Sequence, residues 1–273
     1  MELPGTSSLV AYCFYNCQTL NNISMPELIT LSTYAFKSCF ALSSFTLPKA
    51  SMIGANAFEN CSSLTEIKPE HFPASNVSLA TLTFTNCANL ERVNMPTLVS
   101  TAVSPFLSCP KLSYLELGIP SFTIASTCRD LKALEYLSLP NCSYISGNYT
   151  FAYCTSLSTA SMPAMLTISG TGAFEGCSAL KEIYAPELLH INYAEFYKCS
   201  GLSKIYLPKV NYIGSIAFGL CTSLTHVDLP SLSSYYYSTS AYAQRHPFSG
   251  CANLQYVNLG GSISYLYRTM LEG

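Results

Sequence analysis

The 273-residue chain is predicted to be a repeat solenoid, β-rich, with short strands stacked into a parallel sheet over about eleven coils of ~22 residues. Three observations predict it. Cysteine recurs at a nearly constant step, a leucine stands three residues after every anchor, and an apolar pair alternates with polar residues just beyond. A fixed period of this length marks units that cannot bury an apolar face alone and must stack.

The anchor opens each unit. Cys17, Cys39, Cys61, Cys87, Cys109, Cys154, Cys177, Cys199, Cys221 and Cys251 carry it, and Leu131 replaces it in "LKALEYLSLP". The steps are 22, 22, 26, 22, 22, 23, 23, 22, 22 and 30 residues, which makes eleven units. Three residues on, every position from Leu20 to Leu254 in this register is leucine. Six residues on stand Ile23, Phe45, Ile67, Val93, Leu115, Leu137, Ala160, Ile183, Ile205, Val227 and Val257, and eight on the column is mostly Leu or Met. That period of two describes a short strand with one face buried.

Proline closes most of these strands, as at Pro26, Pro48, Pro140 and Pro208, because it cannot donate to a ladder and fixes φ. A second apolar pair follows, such as Leu28 with Leu31 or Val210 with Ile213, and predicts a second short extended segment. The unit then turns through "AF", which sets Phe14, Phe36, Phe58, Phe84, Phe106, Phe151, Phe174, Phe196, Phe218 or Phe248 three residues before the anchor. Ten of the 14 phenylalanines serve that one column, and Cys128 fills it in the unit anchored by Leu131. No coil has a core of its own, so residues 1–273 are expected to form one solenoid domain. Leu3-Pro4 falls at a strand end, while Met270 and Gly273 fall in the phenylalanine and anchor columns. The chain is therefore expected to be a piece of a longer protein, or a domain whose edges a partner covers.

The template C-x-x-L-x-x-I-x-L-P-x-L-x-x-I-x-x-x-A-F-x-x resembles the BspA-type leucine-rich repeat of bacterial surface proteins and some parasitic protists, over essentially the whole chain. The cysteine precedes the strand here, whereas the commoner leucine-rich consensus places its Cys or Asn after it. The resemblance implies a cell-surface or extracellular bacterial protein that adheres to host or extracellular protein or glycan, since family members include proteins linked to fibronectin or fibrinogen. A repeat fold does not by itself choose a ligand. A structural spacer or assembly subunit, such as a stalk or a phage- or virion-associated host-recognition component, is the alternative.

Composition narrows the chemistry. Charged residues make up 10% of the chain and the net charge is −2, so there is no basic stripe for nucleic acid. No apolar run approaches the ~20 residues that cross a bilayer, so no membrane insertion of this segment is expected. "MELPGTSSLV" has no signal-peptide pattern. The 13 cysteines contain no C-x-x-C pair, the usual seed of a metal site. One strand spacing between coils, ~4.8 Å, would permit a disulfide by distance alone. Yet the repeated side chains point the same way among leucines, and Leu131 substitutes for one of them, which favours reduced thiols acting as small apolar fillers. Asp130 and Asp228 are the only aspartates, and His71, His190, His226 and His246 belong to different coils. No nucleophile elbow, phosphate loop or H-E-x-x-H occurs, so no enzyme activity, catalytic residue, metal or cofactor is expected.

Recognition, if it is written anywhere, lies in positions five and seven after the anchor, which face away from the buried column. Arg92, Tyr114, Tyr136, Tyr184, Tyr206 and Tyr256 stand there. Adjacent coils are expected to set Tyr114 beside Tyr136, Tyr184 beside Tyr206, Glu66 beside Arg92 and Glu182 beside Lys204. Tyrosine and arginine are enriched in interfaces, but tyrosine also simply suits strands, and both readings stand. The two long units offer a second surface: four extra residues around "PEHFPASNV" and eight around "SYYYSTSAYAQRHP". Tyr236, Tyr242 and Arg245 give the latter the composition of a binding loop, though it equally suits a lid over the last coils.

Overall fold

The structure, a computed structural model, describes residues 1–72, 76–235 and 246–261. They fall into two compact units, Met1–Pro120 and Ser121–Gly273, each a parallel β-solenoid. In the first unit the strand after the anchor appears as Asn22–Ser24, Ser44–Thr46, Glu66–Ile67, Arg92–Met95 and Tyr114–Leu117. Neighbours pair in parallel with the buried column in register: Ile23 opposite Phe45, and Ile67, Val93 and Leu115 in succession. The expected second segment forms a ladder of its own, Thr30–Leu31, Met52–Ile53, Val77–Leu79 and Leu98–Thr101.

The second unit repeats the plan. Tyr136–Ser138, Thr159–Ser161 and Glu182–Tyr184 form one ladder, and Lys204–Tyr206, His226–Asp228 and Tyr256–Asn258 another. Its second column runs through six strands, Ser121–Phe122, Tyr144–Ile145, Thr167–Ile168, His190–Ile191, Tyr212–Ile213 and Ser234–Tyr235.

The third side of each coil is made of turns, not strand. The N–H of Phe36 donates to Ala57 O and that of Phe174 to Glu195 O, both at 2.8 Å, so the turns also form an inter-coil ladder. Each turn needs two left-handed residues four apart, such as Tyr34 and Ser38 (φ 57° and 62°) or Ala194 and Lys198 (φ 59° and 61°). Each is the third residue of a four-residue turn, as in Ala35 N–H to Ser32 O and Cys39 N–H to Phe36 O, the pattern of a type II turn. Glycine takes both places in one coil, Gly172 and Gly176. Elsewhere bulky side chains tolerate the conformation because the stacked ladder holds it.

The core explains the cysteine–phenylalanine spacing. Phenylalanine rings stack between coils at 5.1–5.9 Å, nearly parallel, from Phe14 to Phe106 in the first unit and from Phe151 to Phe248 in the second. Most anchor thiols then donate to the carbonyl of the phenylalanine in the coil before: Cys61 to Phe36, Cys87 to Phe58, Cys177 to Phe151 and Cys199 to Phe174, all at 3.2 Å, while Cys154 donates to Cys128 O, which fills the phenylalanine column there. Cysteine is small enough for the column and still brings a weak donor, which neither alanine nor leucine does. All thirteen thiols are free and eleven are buried. Burial pushes Cys39 up to about 11 and Cys109 and Cys154 up to about 12, so they remain protonated. Cys13 departs from the expected packing and is exposed, and Cys17 is half-buried.

The 26-residue coil also departs from expectation. Instead of projecting as a binding loop, its Pro69–His71 turn folds inward. His71 stacks on Phe45 at 4.5 Å, and Phe72 packs against Phe45 and Phe58 at 5.1 and 6.3 Å. Both rings are buried there. Burial lowers the His71 pKa.

Candidate functional site

Strand alternation decides which side chains reach solvent. In Lys204–Tyr206 the middle Ile205 is buried while both flanking residues are exposed. Tyr206 is 65% exposed, Tyr184 52% and Tyr256 50%, large aromatic surfaces that the core does not use. Around them stand exposed Glu182, Lys204 and His226. The ladder pauses between Glu182–Tyr184 and Lys204–Tyr206, which belong to separate sheets, and Ile183 is half-exposed there. Farther along, His226 pairs opposite Tyr256, their rings 5.8 Å apart, and Asn258 Nδ2 donates to Asp228 Oδ1 at 2.8 Å. His226 Nδ1 is 2.9 Å from Thr225 Oγ1.

The first unit shows the same column with different partners. Glu66 and Arg92 stand opposite in register, as expected, but do not pair by charge. Glu66 instead meets Lys68 of its own strand end at 2.5 Å, and the Arg92 guanidinium lies 3.9 Å above the Tyr114 ring, whose hydroxyl donates to Glu116. The flat guanidinium stacks on the next rung more readily than it reaches across. Glu182 and Lys204 form no ion pair either, since the sheet break separates their strands. Tyr114 belongs to the first unit and half-buried Tyr136 to the second. Tyr236, Tyr242 and Arg245 lie outside the described residues.

One titratable group escaped sequence reasoning. Glu195 is fully buried, in the position before the column phenylalanine. Ala35, Ala57, Thr83, Thr150, Ala173 and Ala217 occupy that position in other coils, and the lone acid among them was the available signal. Its Oε2 accepts the Ala173 N–H at 2.8 Å, while Oε1 has no partner. Burial pushes its pKa up to about 8, against the opposing pull of that hydrogen bond. Among the described residues no three His, Cys, Asp or Glu side chains converge as a metal site would require. Among the described residues no helix is long and apolar enough to cross a membrane.

Comparison with known proteins places these features. The family described as the BspA type leucine rich repeat region matches residues 2–113 and 122–246, in six copies. No curated protein matches the chain. Among solved structures, a leucine-rich repeat protein from Bacteroides ovatus is similar at 21% identity, over 91% of this chain and 81% of that one, with a TM-score of 0.38. A leucine rich cell surface protein from Faecalibacterium prausnitzii is similar at 18% identity, over 93% and 83%, with a TM-score of 0.41. The pneumococcal vaccine antigen PcpA is similar at 18% identity, over 80% and 69%, with a TM-score of 0.39.

Proposed function

Because the chain belongs to the BspA-type leucine-rich repeat family, we propose that it is a non-catalytic recognition module of a bacterial cell-surface or secreted protein, which binds a host or extracellular protein or glycan. The observation that carries this reading is the outward strand column of the second unit. Tyr184, Tyr206 and Tyr256 leave half or more of their surface in water, and Lys204, Glu182 and His226 rim them. Aromatic anchors with a mixed polar rim are what a recognition surface offers, because the rings bury large area at low entropic cost. In the first unit Arg92 stacked on Tyr114 supplies a similar element.

The test is a binding screen of the whole chain against immobilised extracellular-matrix proteins and a glycan array, repeated with Tyr184→Ser, Tyr206→Ser and Tyr256→Ser combined. Binding that falls about tenfold or more supports the face. A bound partner that ignores all three substitutions removes it. Silence across the screen favours the spacer or assembly reading, for which the uncharged Ser/Thr/Tyr surface is equally suited.

A further inference from the structure

A separate feature of the second unit has the make-up of a ligand site. A groove of about 480 Å³ runs across three successive coils, where the second-column strands Thr167–Ile168, His190–Ile191 and Tyr212–Ile213 pass into their turns. The volume lies within the range of small-molecule sites. Gly170 and Gly214 open it. A Cβ on either would come within 2.6 Å of backbone in the preceding coil, Gly147 O or Asn192 C, so neither position tolerates a side chain that would fill the groove. Glycine is therefore required here by coil stacking, and the notch follows from it.

The walls are chemically uniform. Thr171, Asn192, Tyr193 and Tyr212 line the groove, and no lining residue among those described carries a charge. Among the described residues the Thr171 hydroxyl, the Asn192 amide and the two phenol groups make no hydrogen bond within the protein. By contrast the strands that lead into it are paired with a neighbouring coil on both sides. Ser169 N–H donates to Ile145 O, Asn192 N–H to Ile168 O and Gly214 N–H to Ile191 O. An extended peptide therefore finds no open ladder to join, and a ligand must be read by side chains. Buried Glu195 lies two residues past Tyr193, and its carboxyl holds the Ala173 N–H, two residues past Thr171. Held largely neutral by burial, it adds no full charge to the neighbourhood.

We propose that this groove binds a neutral saccharide. A pyranose ring presents apolar C–H faces that pack on aromatic rings, here Tyr193 and Tyr212, and a rim of hydroxyls that both donate and accept. The amide and hydroxyl groups supply matching partners, and among the described residues no cation lines the groove to attract the carboxylate of a sialic or uronic acid. The proposal rests on the reading of the chain as a recognition module, but it uses none of the residues of the outward tyrosine column.

The probes are the methyl glycosides of glucose, galactose, mannose, fucose and N-acetylglucosamine at millimolar concentration, followed by saturation-transfer NMR, with sialic acid as the charged control. Saturation transfer to at least one neutral glycoside, displaced by none of the acidic control, is expected. Tyr212→Ala and Asn192→Ala should each weaken binding about tenfold. Thr171→Val, which keeps the shape and removes one hydroxyl, guards against loss through misfolding and should weaken it about threefold. Tyr184→Ser with Tyr206→Ser should leave it unchanged, which separates failure of this site from failure of the outward face. No transfer to any neutral glycoside, preference for sialic acid, or binding that survives all three groove substitutions overturns the proposal.

Discussion

The phenylalanine column and the outward strand column of the second unit run through the same coils and obey opposite rules. Phe151, Phe174, Phe196, Phe218 and Phe248 are all buried and stack ring on ring. Tyr136, Thr159, Glu182, Lys204, His226 and Tyr256, the strand's first outward position, share nothing but access to solvent. A side chain in the inner column has its own copies as neighbours above and below, so any change of size leaves a gap or a clash on two sides. An outward side chain meets water on its open face, and identity there is free to follow a ligand.

The largest expected effect tests that contrast directly. Phe174→Ala removes a ring stacked at 5.4 and 5.3 Å between two others and should cost about 3–5 kcal/mol in urea or guanidinium denaturation. Tyr206→Ala, 65% exposed before the change, should cost within about 0.5 kcal/mol. Equal costs would break the comparison.

A smaller effect sharpens it within one column. Thr150 and Glu195 occupy the same buried position, but the Thr150 hydroxyl donates to Gly147 O at 2.7 Å, whereas Glu195 leaves Oε1 unpartnered. The folded chain holds the Glu195 carboxyl at about 8, above its usual value of 4.5. The neutral form therefore stabilises the fold fully below about pH 4.5, and that contribution is lost as the pH rises through about 8. Glu195→Thr should flatten this part of the pH profile and raise the melting temperature most at alkaline pH. A variant whose melting temperature falls in parallel with the parent from acid to alkaline pH would show that Glu195 is not the titrating group.

The smallest effect concerns reactivity. In the native protein a thiol reagent should modify exposed Cys13 quickly, Cys17 slowly and the eleven buried thiols only on unfolding, when all thirteen react. Fewer than thirteen in the unfolded chain would contradict thiols used as packing.

Much of this was legible in the sequence because stacking writes itself as a period. The leucines of the anchor register, the phenylalanine column and the second apolar pair recur at fixed offsets, and they became buried rows, from Leu42 to Leu224 for the first, or a ladder. The misses share a cause. Offsets report which residues are neighbours, but not which of several partners a long side chain selects, so Glu66 chose Lys68 and Arg92 chose the Tyr114 ring. His71 and Phe72 read as an inserted loop because an insertion has no register, and only the space beside Phe45 sent them inward.

By itself, then, the sequence determined the coil: its period, its two strands and its inward columns, in which Phe58 and Cys61 are two buried rungs. Tertiary structure alone decided where the rungs fail to repeat. The pause in the ladder beside Tyr184, the unpartnered oxygen of Glu195 and the groove between Asn192 and Tyr212 each depend on how three consecutive coils meet. A period describes one coil and its copy, while a site needs the differences among several, and those are set by packing in three dimensions.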